Sequence, residues 1–526
     1  MTTQRILLTT RGRAAHAGLA PEAGISAILA MADVLEAIPR LDRADRPIRF
    51  EAMQGGMRVN VIAPECRTWL TVDADAAAAE ALCVALNAVP MTTSGATVSA
   101  TLAADPPRPC RSATGDASSG NEPLPQTAAK RRRYRSAAPA VARGTAPDVV
   151  DLTHVAARLA AWMKDQASAM QALLEELAAL ETPSLQPETQ SGAFDLLARE
   201  LLREGYTSTW WPGRRSGGLL LACPVDRQRG APVQLLLGHC DTVWPVGTLA
   251  EMPLRLEDGR LSGPGVFDMK GGLVQTVFAL RALRSLGITP PATPVMLVNS
   301  DEEIGSDEST LAIERLARIS CRAFVMEPAL GVAGKLKTAR KGVGQFRMKL
   351  SGDRSDANIV AGELARLIRT LSALTDPVSG ASVNVGIVCS GAENETMDVE
   401  LIVDVRAPDA GSARQIEQAV AAVRSALPSV TLETAGGISR PPMERTQRNQ
   451  ALWRSARTLG ENLGLALEEG AAGGGSDGNT TSQFTATLDG LGAVGDGAHA
   501  LHEHILIDEM PQRAALLALL LLSPLK

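Results

Sequence analysis

A histidine and an aspartate stand two residues apart at the end of an apolar run in this 526-residue chain. The run reads LLLGHCDTVWP, and side chains alternate along a strand, so His239 and Asp241 point to the same side. A metal-bound imidazole needs an acceptor to orient its second ring nitrogen, and a carboxylate so placed supplies one. Alone the pair is weak evidence, because a structural histidine beside an aspartate is common.

Acidic residues follow in two further motifs. GPGVFDMKGG offers Asp268, which can bridge two cations or simply cap the helix that begins near Gly271. VNSDEEIGS places Glu302 and Glu303 directly after an apolar strand, where unpaired charge is costly unless a metal or a proton compensates it. One of these two glutamates can bind metal while its neighbour faces a water molecule.

The last candidates are Glu327 in VMEPAL and His499 in GDGAHALHEH. Two cations about 3.5 to 4 Å apart, joined by one carboxylate and each holding a histidine and a further carboxylate, activate a shared water at neutral pH. Two histidines, one bridging aspartate and two glutamates meet that requirement. The residue types therefore predict a two-metal hydrolytic centre.

Alternating strands and helices must position these residues. After an amphipathic helix over about residues 150–180, apolar runs of strand length end in polar residues and are separated by helical segments. This pattern indicates an α/β domain with a mostly parallel sheet. Ligands in such sheets gather beyond the strand ends, where His239, Asp241, Glu302, Glu303 and Glu327 fall.

A weak internal repeat adds a second kind of module. RILLTTRG begins one copy near the N-terminus and FRMKLSG begins the other, and each reads as strand, helix, two strands, helix, strand. The expected organisation is a leading α+β module, isolated from the rest, a flexible linker, and an α/β domain interrupted by the embedded copy. The predicted bounds are 1–108 for the leading module, 109–149 for the linker, 150–340 and 441–526 for the α/β domain, and 341–440 for the embedded module.

Bulk composition excludes several functions. With 45% hydrophobic and 21% charged residues, a net charge of -6 and no broad basic face, the chain has no general attraction for nucleic acid. The N-terminus lacks the apolar core of a secretory signal, the apolar run 514–522 is too short to span a bilayer, and seven scattered cysteines without CxxC spacing favour buried thiols. We expect a cytoplasmic protein with no membrane partner.

The motifs HCDT, GPGVFDMKGG, DEEIGS, MEP and GAHALHE resemble those of the metallopeptidase family of glutamate carboxypeptidase, aminoacylase, acetylornithine deacetylase and succinyl-diaminopimelate desuccinylase. HCDTVWPVGTL is most similar to the glutamate carboxypeptidase branch, and the resemblance covers about residues 150–526. It implies a homodimer that hydrolyses an amide bond next to a free carboxylate in a small or peptidic substrate.

The same resemblance implies two zinc ions, with Asp241 orienting a ligand and Glu302 as general base. The implied zinc ligands are His239, Asp268 (bridging), Glu303, Glu327 and His499. We select His499 over His502 and His504 because the family's histidine stands in a GxH turn four residues before a glutamate, here Glu503. The implied substrate contacts are Arg406, Asn394, Ser476, Asp477 and Gly478, although the glycine-rich run holding the last three also reads as an ordinary surface loop.

The chain departs from the family in its lids, the α+β modules. The family's lid carries a histidine in a GxxxHAG turn that polarises the scissile carbonyl, but the embedded lid has Asp356 there. The leading lid retains the turn with His16, whereas the family's arginine survives only as Arg406 of the embedded lid and is Asp75 in the leading one. Either the two lids divide the work, or the leading lid is a relic of gene duplication or frameshift.

Three other functions compete with the carboxypeptidase. An N-acyl amino acid deacylase of the same family fits the same ligands. A binding or regulatory relative would fit a chain whose embedded lid lacks its histidine, but the five ligands and the base are all present. An aminopeptidase shares the two-metal core, but the lid modules resemble the exopeptidase and deacylase branch.

Overall fold

A computed structural model describes residues 2–18, 20–103, 132–134, 151–393 and 395–525. The chain divides into two units, Met1–Leu124 with Lys341–Pro442, and Pro125–Arg340 with Met443–Lys526. We name them the lid unit and the metal unit. Over the described ranges, no helix is long and apolar enough to cross a membrane.

The leading module has the predicted order of elements. Its first α-helix begins after Ser26, whose hydroxyl accepts a hydrogen bond from the amide of Leu29 at 3.2 Å. The elements are β1 (Thr2–Arg11), α1 (Ala27–Leu41), β2 (Ile48–Gly55), β3 (Glu65–Ala74), α2 (Ala76–Asn87) and β4 (Thr97–Leu102).

The metal unit begins within the predicted linker, because three of the linker's residues pair with the strand Tyr206–Trp211. The rest of the linker lies outside the described residues. The elements as far as the embedded module are β5 (Arg132–Tyr134), α3 (Leu152–Asp165), α4 (Ala167–Ala178), α5 (Pro187–Arg203), β6 (Tyr206–Trp211), β7 (Leu219–Pro224), β8 (Val233–His239), α6 (Thr248–Glu251), β9 (Arg255–Glu257), β10 (Arg260–Ser262), α7 (Gly271–Ser285), β11 (Thr293–Asn299), α8 (Thr310–Ile319), β12 (Ser320–Val325) and β13 (Leu336–Arg340).

The embedded module repeats the order of the leading one, and the metal unit then resumes. The embedded elements are β14 (Gly342–Asp353), α9 (Ala357–Ser372), β15 (Ser382–Glu393), β16 (Thr396–Ala407), α10 (Ala410–Ala422) and β17 (Thr431–Arg440). The remaining elements are α11 (Gln447–Glu461), β18 (Glu469–Ala472), α12 (Asp477–Thr481), β19 (Ala486–Leu488), β20 (Gly495–Asp496), β21 (His504–Leu506) and α13 (Met510–Leu522). The apolar run 514–522 lies in α13 and is buried, as expected.

The main sheet of the metal unit has the order β19-β12-β8-β11-β7-β6-β5. Its first four strands are parallel neighbours, whereas β7, β6 and β5 pair antiparallel. The α/β class is confirmed, with a larger antiparallel portion than the apolar runs predicted. Helix α7 packs against the sheet in the main hydrophobic core, and most of its residues on every face of the helix are therefore buried.

The two lid modules share one eight-stranded sheet of order β17-β14-β16-β15-β2-β3-β1-β4. The expectation that the leading module stands isolated is therefore wrong. Both modules also contribute to one hydrophobic core.

A second correction concerns the cysteines. Cys66, Cys83, Cys223, Cys240 and Cys321 are free thiols, but Cys389 is disulfide-bonded. The expectation of buried thiols is therefore wrong at Cys389, and also at Cys321, whose side chain is exposed.

Candidate metal centre

The acidic and histidine motifs meet at one edge of the metal unit's sheet. His239 ends β8, the pair Glu302 and Glu303 follows β11, and Glu327 follows β12. These three strands are adjacent and parallel, with β8 in the middle, so their carboxyl ends meet. Asp268 precedes α7, and His499 lies in the turn between β20 and β21.

Asp241 holds this edge together. The ring Nδ1 of His239 lies 3.0 Å from the Asp241 carbonyl and 3.3 Å from its carboxylate. The same carboxylate accepts hydrogen bonds from the amides of Glu302 at 3.2 Å and Glu303 at 3.1 Å, and from the Ser184 hydroxyl at 2.7 Å. Burial opposes its ionisation, but His239, Ser184 and the amide of Glu303 lower the pKa of Asp241. It is therefore an anion that orients one ring and the glutamate turn.

Five side chains form what we call the metal cluster: His239, Asp268, Glu303, Glu327 and His499. The Nε2 atom of His239 lies 3.4 Å from an Asp268 oxygen and 3.3 Å from a Glu327 oxygen. The Nε2 atom of His499 lies 3.5 Å from the other Asp268 oxygen and 3.0 Å from Glu303. Asp268 thus stands between the two histidines, as a bridging ligand must.

Buried atoms of this cluster lack hydrogen-bond partners. His239 Nε2 and one Asp268 oxygen are buried and form no hydrogen bond of acceptable geometry among the described residues. The carboxylate oxygens that face His239 Nε2 lie 3.3 and 3.4 Å away. Buried polar atoms are normally satisfied, and groups that are left over mark a functional site or an absent ion. Potential ligand atoms of His239, Asp268 and Glu303 lie within 4.8 Å of one another, and so do those of His239, Glu302 and Glu327. The residues present fit divalent cations.

The electrostatics also favour a cation. Burial would lower the pKa of His499, but Glu303 and Asp268 raise it to about 11. Burial likewise opposes protonation of His239, yet Asp241, Asp268 and Glu327 raise its pKa well above the ordinary value. Both imidazoles therefore sit in a strongly negative potential, which bound cations would neutralise.

Glu327 depends on a partner that sequence reasoning missed. Arg340 donates to Glu327 at 2.8 Å, forms an ion pair with Asp489 at 2.8 Å, and is 4% exposed. Burial and Asp268 oppose ionisation of Glu327, but Arg340, His239 and Lys337 hold its pKa down at about 2. Arg340 belongs to none of the recognised motifs, so the sequence carried no signal for it.

Glu503 served only to select His499 from the sequence, but it builds the turn around Asp268. Its carboxylate accepts hydrogen bonds from the amides of Gly265, Phe267 and Asp268 at 3.0, 3.0 and 3.1 Å. It also accepts one from the Trp244 indole at 2.8 Å. Burial raises the pKa of Glu503 to about 7, although these hydrogen bonds lower it.

The glycine-rich run proposed as a substrate loop is a buried part of the metal unit. The Ser476 hydroxyl donates to Asp489 at 2.6 Å, and Asp477 accepts hydrogen bonds from Asn299 at 2.8 Å and Ser306 at 2.5 Å. A side chain on Gly478 would lie 2.6 Å from an Asp489 oxygen. These contacts give the three residues structural roles, and their assignment as substrate contacts stays a prediction.

The remaining predicted residues fall in the lid unit, apart from Asn394, which lies outside the described residues. The amide of Gly18 donates to His16 Nδ1 at 3.0 Å, so a neutral His16 carries its ring hydrogen on Nε2. Arg406 lies near the end of β16 and forms a two-point ion pair with Asp404, both bonds being 2.8 Å long. Ser382, opposite Arg406 in the sheet, donates to the Ala17 carbonyl at 3.0 Å. The turn that holds His16 in the leading module thus contacts β15 of the embedded module, the strand that pairs with the Arg406 strand β16.

This fold and site define a metallopeptidase, and comparison with known proteins gives the family. The chain matches Peptidase family M20/M25/M40 over residues 235–523 and the Peptidase dimerisation domain over residues 5–88. It belongs to Peptidase family M20/M25/M40, which confirms the resemblance in the motifs and identifies an enzyme, a peptidase or amidohydrolase.

Two relatives and one solved structure illustrate the similarity. Carboxypeptidase G2 of Pseudomonas sp. (strain RS-16) is 26% identical over 380 residues, covering 68% of this chain and 90% of its own. Succinyl-diaminopimelate desuccinylase of Wolinella succinogenes is 26% identical over 354 residues, covering 63% and 93%. An M20 family metallo-carboxypeptidase of Sulfolobus solfataricus is 16% identical with a TM-score of 0.52, covering 67% and 98%, and supports the fold alone.

Proposed function

We propose that the chain is a two-zinc hydrolase that cleaves an amide bond next to a free carboxylate, as a glutamate carboxypeptidase does. The observation that carries the proposal is Asp268, whose two oxygens face the two histidines at 3.4 and 3.5 Å. The metal cluster would hold the ions, which would polarise the scissile carbonyl and acidify a water molecule. Zinc as the metal, two ions per chain and a cytoplasmic location stay predictions.

In this mechanism Glu302 is the general base. It is 8% exposed, and its neighbour Glu303 contacts His499 at 3.0 Å, so the two glutamates have different surroundings. Glu302 would accept the proton of the attacking water and return it to the leaving nitrogen. Asp241 fixes the backbone of both glutamates and so positions the base.

His16 and Arg406 would serve the substrate. With its ring hydrogen on Nε2, His16 would donate to the scissile carbonyl oxygen, a contribution typically worth about 2.7 to 4 kcal/mol in the transition state. Arg406 would bind the substrate's carboxylate, and would give up one of its two hydrogen bonds to Asp404 to do so.

The test combines a substrate screen with a base variant. C-terminal glutamyl peptides, other dipeptides and N-acyl amino acids are incubated with the zinc-loaded enzyme, and metal content is measured in the same samples. Glu302→Gln should retain both metals and lose most turnover, since an amide cannot accept the proton. Loss of zinc in that variant would instead make Glu302 a ligand and reverse the two glutamate roles.

An N-acyl amino acid deacylase is the second candidate. The similarity to a succinyl-diaminopimelate desuccinylase over 93% of that enzyme favours it. The screen separates the two activities. A carboxypeptidase should hydrolyse the peptides and release their C-terminal amino acid, whereas a deacylase should prefer the N-acyl amino acids.

A further inference from the structure

The two lid modules meet through equivalent elements. At the centre of their shared sheet β2 pairs antiparallel with β15, Gly55 opposite Val388 and Gln54 opposite Cys389. Each of these strands is the first to follow the helix of its own module, and the strand order is symmetric about this seam. The equivalent helices α1 and α9 also pack together. Such self-matching contacts are those of a two-fold symmetric dimer, here made within one chain.

The seam is specific in its polar contacts. The Asn358 side chain accepts a hydrogen bond from the amide of Phe50 at 2.8 Å and donates to the Ile48 carbonyl at 2.5 Å. The Ser390 hydroxyl accepts one from the amide of Met53 at 2.5 Å. Side chains of the embedded module therefore satisfy backbone groups of β2 that an unpaired strand would leave to water.

The backbones also approach closely beside the seam. A side chain on Gly56 would lie 1.8 Å from the Gly386 carbonyl oxygen, and one on Gly386 would lie 2.1 Å from the Val59 carbonyl oxygen. Only glycine permits this approach, so each module carries a residue that the other requires.

Charge distinguishes this pairing from pairing between two copies of one module. Arg369 of α9 forms ion pairs with Asp33 and Glu36 of α1, the latter at 2.6 Å. When the helices are aligned on their buried residues, Leu35 with Ile368 and Ile38 with Leu371, the counterparts of Asp33 and Glu36 are Arg366 and Arg369. Two embedded modules would therefore bring arginines together, and two leading modules would bring carboxylates together. Like charges in contact disfavour both of those pairings.

We infer that the leading module is a built-in partner: it occupies, within the same chain, the pairing surface that a second copy of the embedded module would otherwise need. The chain is then a monomer with a complete lid pair, in place of the homodimer that the family resemblance implies. This inference rests on contacts within the lid unit and does not depend on the proposed hydrolase function.

The first test is the mass of the full chain by sedimentation equilibrium or light scattering. A mass near 55.1 kDa that does not change with concentration is expected, and a stable dimer would overturn the inference. Hydrogen exchange is measured on the same samples. Peptides covering β2 and β15 should be protected equally at low and high protein concentration, whereas exchange as fast as in the edge strands β4 and β17, or protection only at high concentration, would contradict it.

Charge reversal tests the specificity of the seam. Arg369→Glu should speed exchange in β2 and β15 severalfold, and adding Glu36→Arg should recover part of the protection. Arg347→Glu is the matched control, because Arg347 pairs at 3.2 Å with Glu400 inside the embedded module. Equal effects of Arg369→Glu and the control on the seam would reject the charge argument.

Discussion

Asp268 is the residue on which the proposed metal centre would depend, since its carboxylate lies between the two histidines of the metal cluster. Its side chain faces His239 with one oxygen and His499 with the other. Because metal binding and site geometry are coupled, loss of a shared ligand weakens both positions together.

We therefore expect Asp268→Asn to lose both metals rather than one. Metal content is measured by mass spectrometry after exhaustive dialysis, beside the control Asp307→Asn, whose side chain is 74% exposed. The control should keep the full complement. Retention of one tightly held ion by the Asp268 variant would mean that the two positions do not share this ligand.

Arg340 gives a prediction about stability at the same site. Removing one member of a buried ion pair typically costs about 3 to 5 kcal/mol, so Arg340→Met should lower the free energy of unfolding by that order. Arg445→Met is the control, because Arg445 pairs with Glu469 while half exposed and should cost about 1 kcal/mol or less. Urea denaturation of both variants checks this, and equal losses would show that Glu327 does not need Arg340.

Among the elements, β2 and β15 form the seam that joins the two lid modules into one sheet. An unpaired sheet edge invites association with other chains, and here each module covers the other's edge. Glycine at the turn after β2 makes this possible, since Gly56 has a φ of +76° and no room for a side chain.

We predict that Gly56→Ala opens this seam. The control is Gly230→Ala, which has a similar φ of +84° but nothing within 4 Å of an added side chain. Strain at positive φ should cost each variant about 1 kcal/mol, whereas the clash with Gly386 adds a further loss only at position 56. Thermal denaturation compares them, and a melting temperature of the Gly56 variant equal to that of the control would show that the seam tolerates a side chain.

At the scale of the whole molecule, the two-lid arrangement bears on the proposed role of His16, because it would decide which chain supplies this histidine to an active site. If the leading module is a built-in partner, His16 acts within its own chain. No second subunit would then be needed to supply this histidine.

Mixing two inactive variants tests this. His16→Ala and Glu302→Gln are each expected to lose most activity, and their mixture should show only the sum of the two residual rates. A mixture of wild-type enzyme with His16→Ala is the control, because it shows whether adding an inactive variant lowers the wild-type rate. Recovery toward a quarter of wild-type activity would show exchange of lids between chains.

The sequence alone was sufficient for the parts of this protein that depend on local pattern. Residue types at strand ends and in two glycine-containing turns indicated the metal cluster, and the repeated order of strands and helices indicated two similar modules. These inferences succeed because ligand chemistry and the alternation of a strand are properties of a few consecutive residues.

Tertiary structure decided the rest. Ser476 stands in a glycine-rich run that reads as an exposed loop, yet it is fully buried against Asp489. Arg340 is one arginine among many until the fold brings it to Glu327. The pairing of β2 with β15 joins segments more than three hundred residues apart, and no local pattern encodes which edge a strand will meet. That choice depends on the summed shape, hydrogen bonding and charge of two folded surfaces, which exist only once both modules have formed.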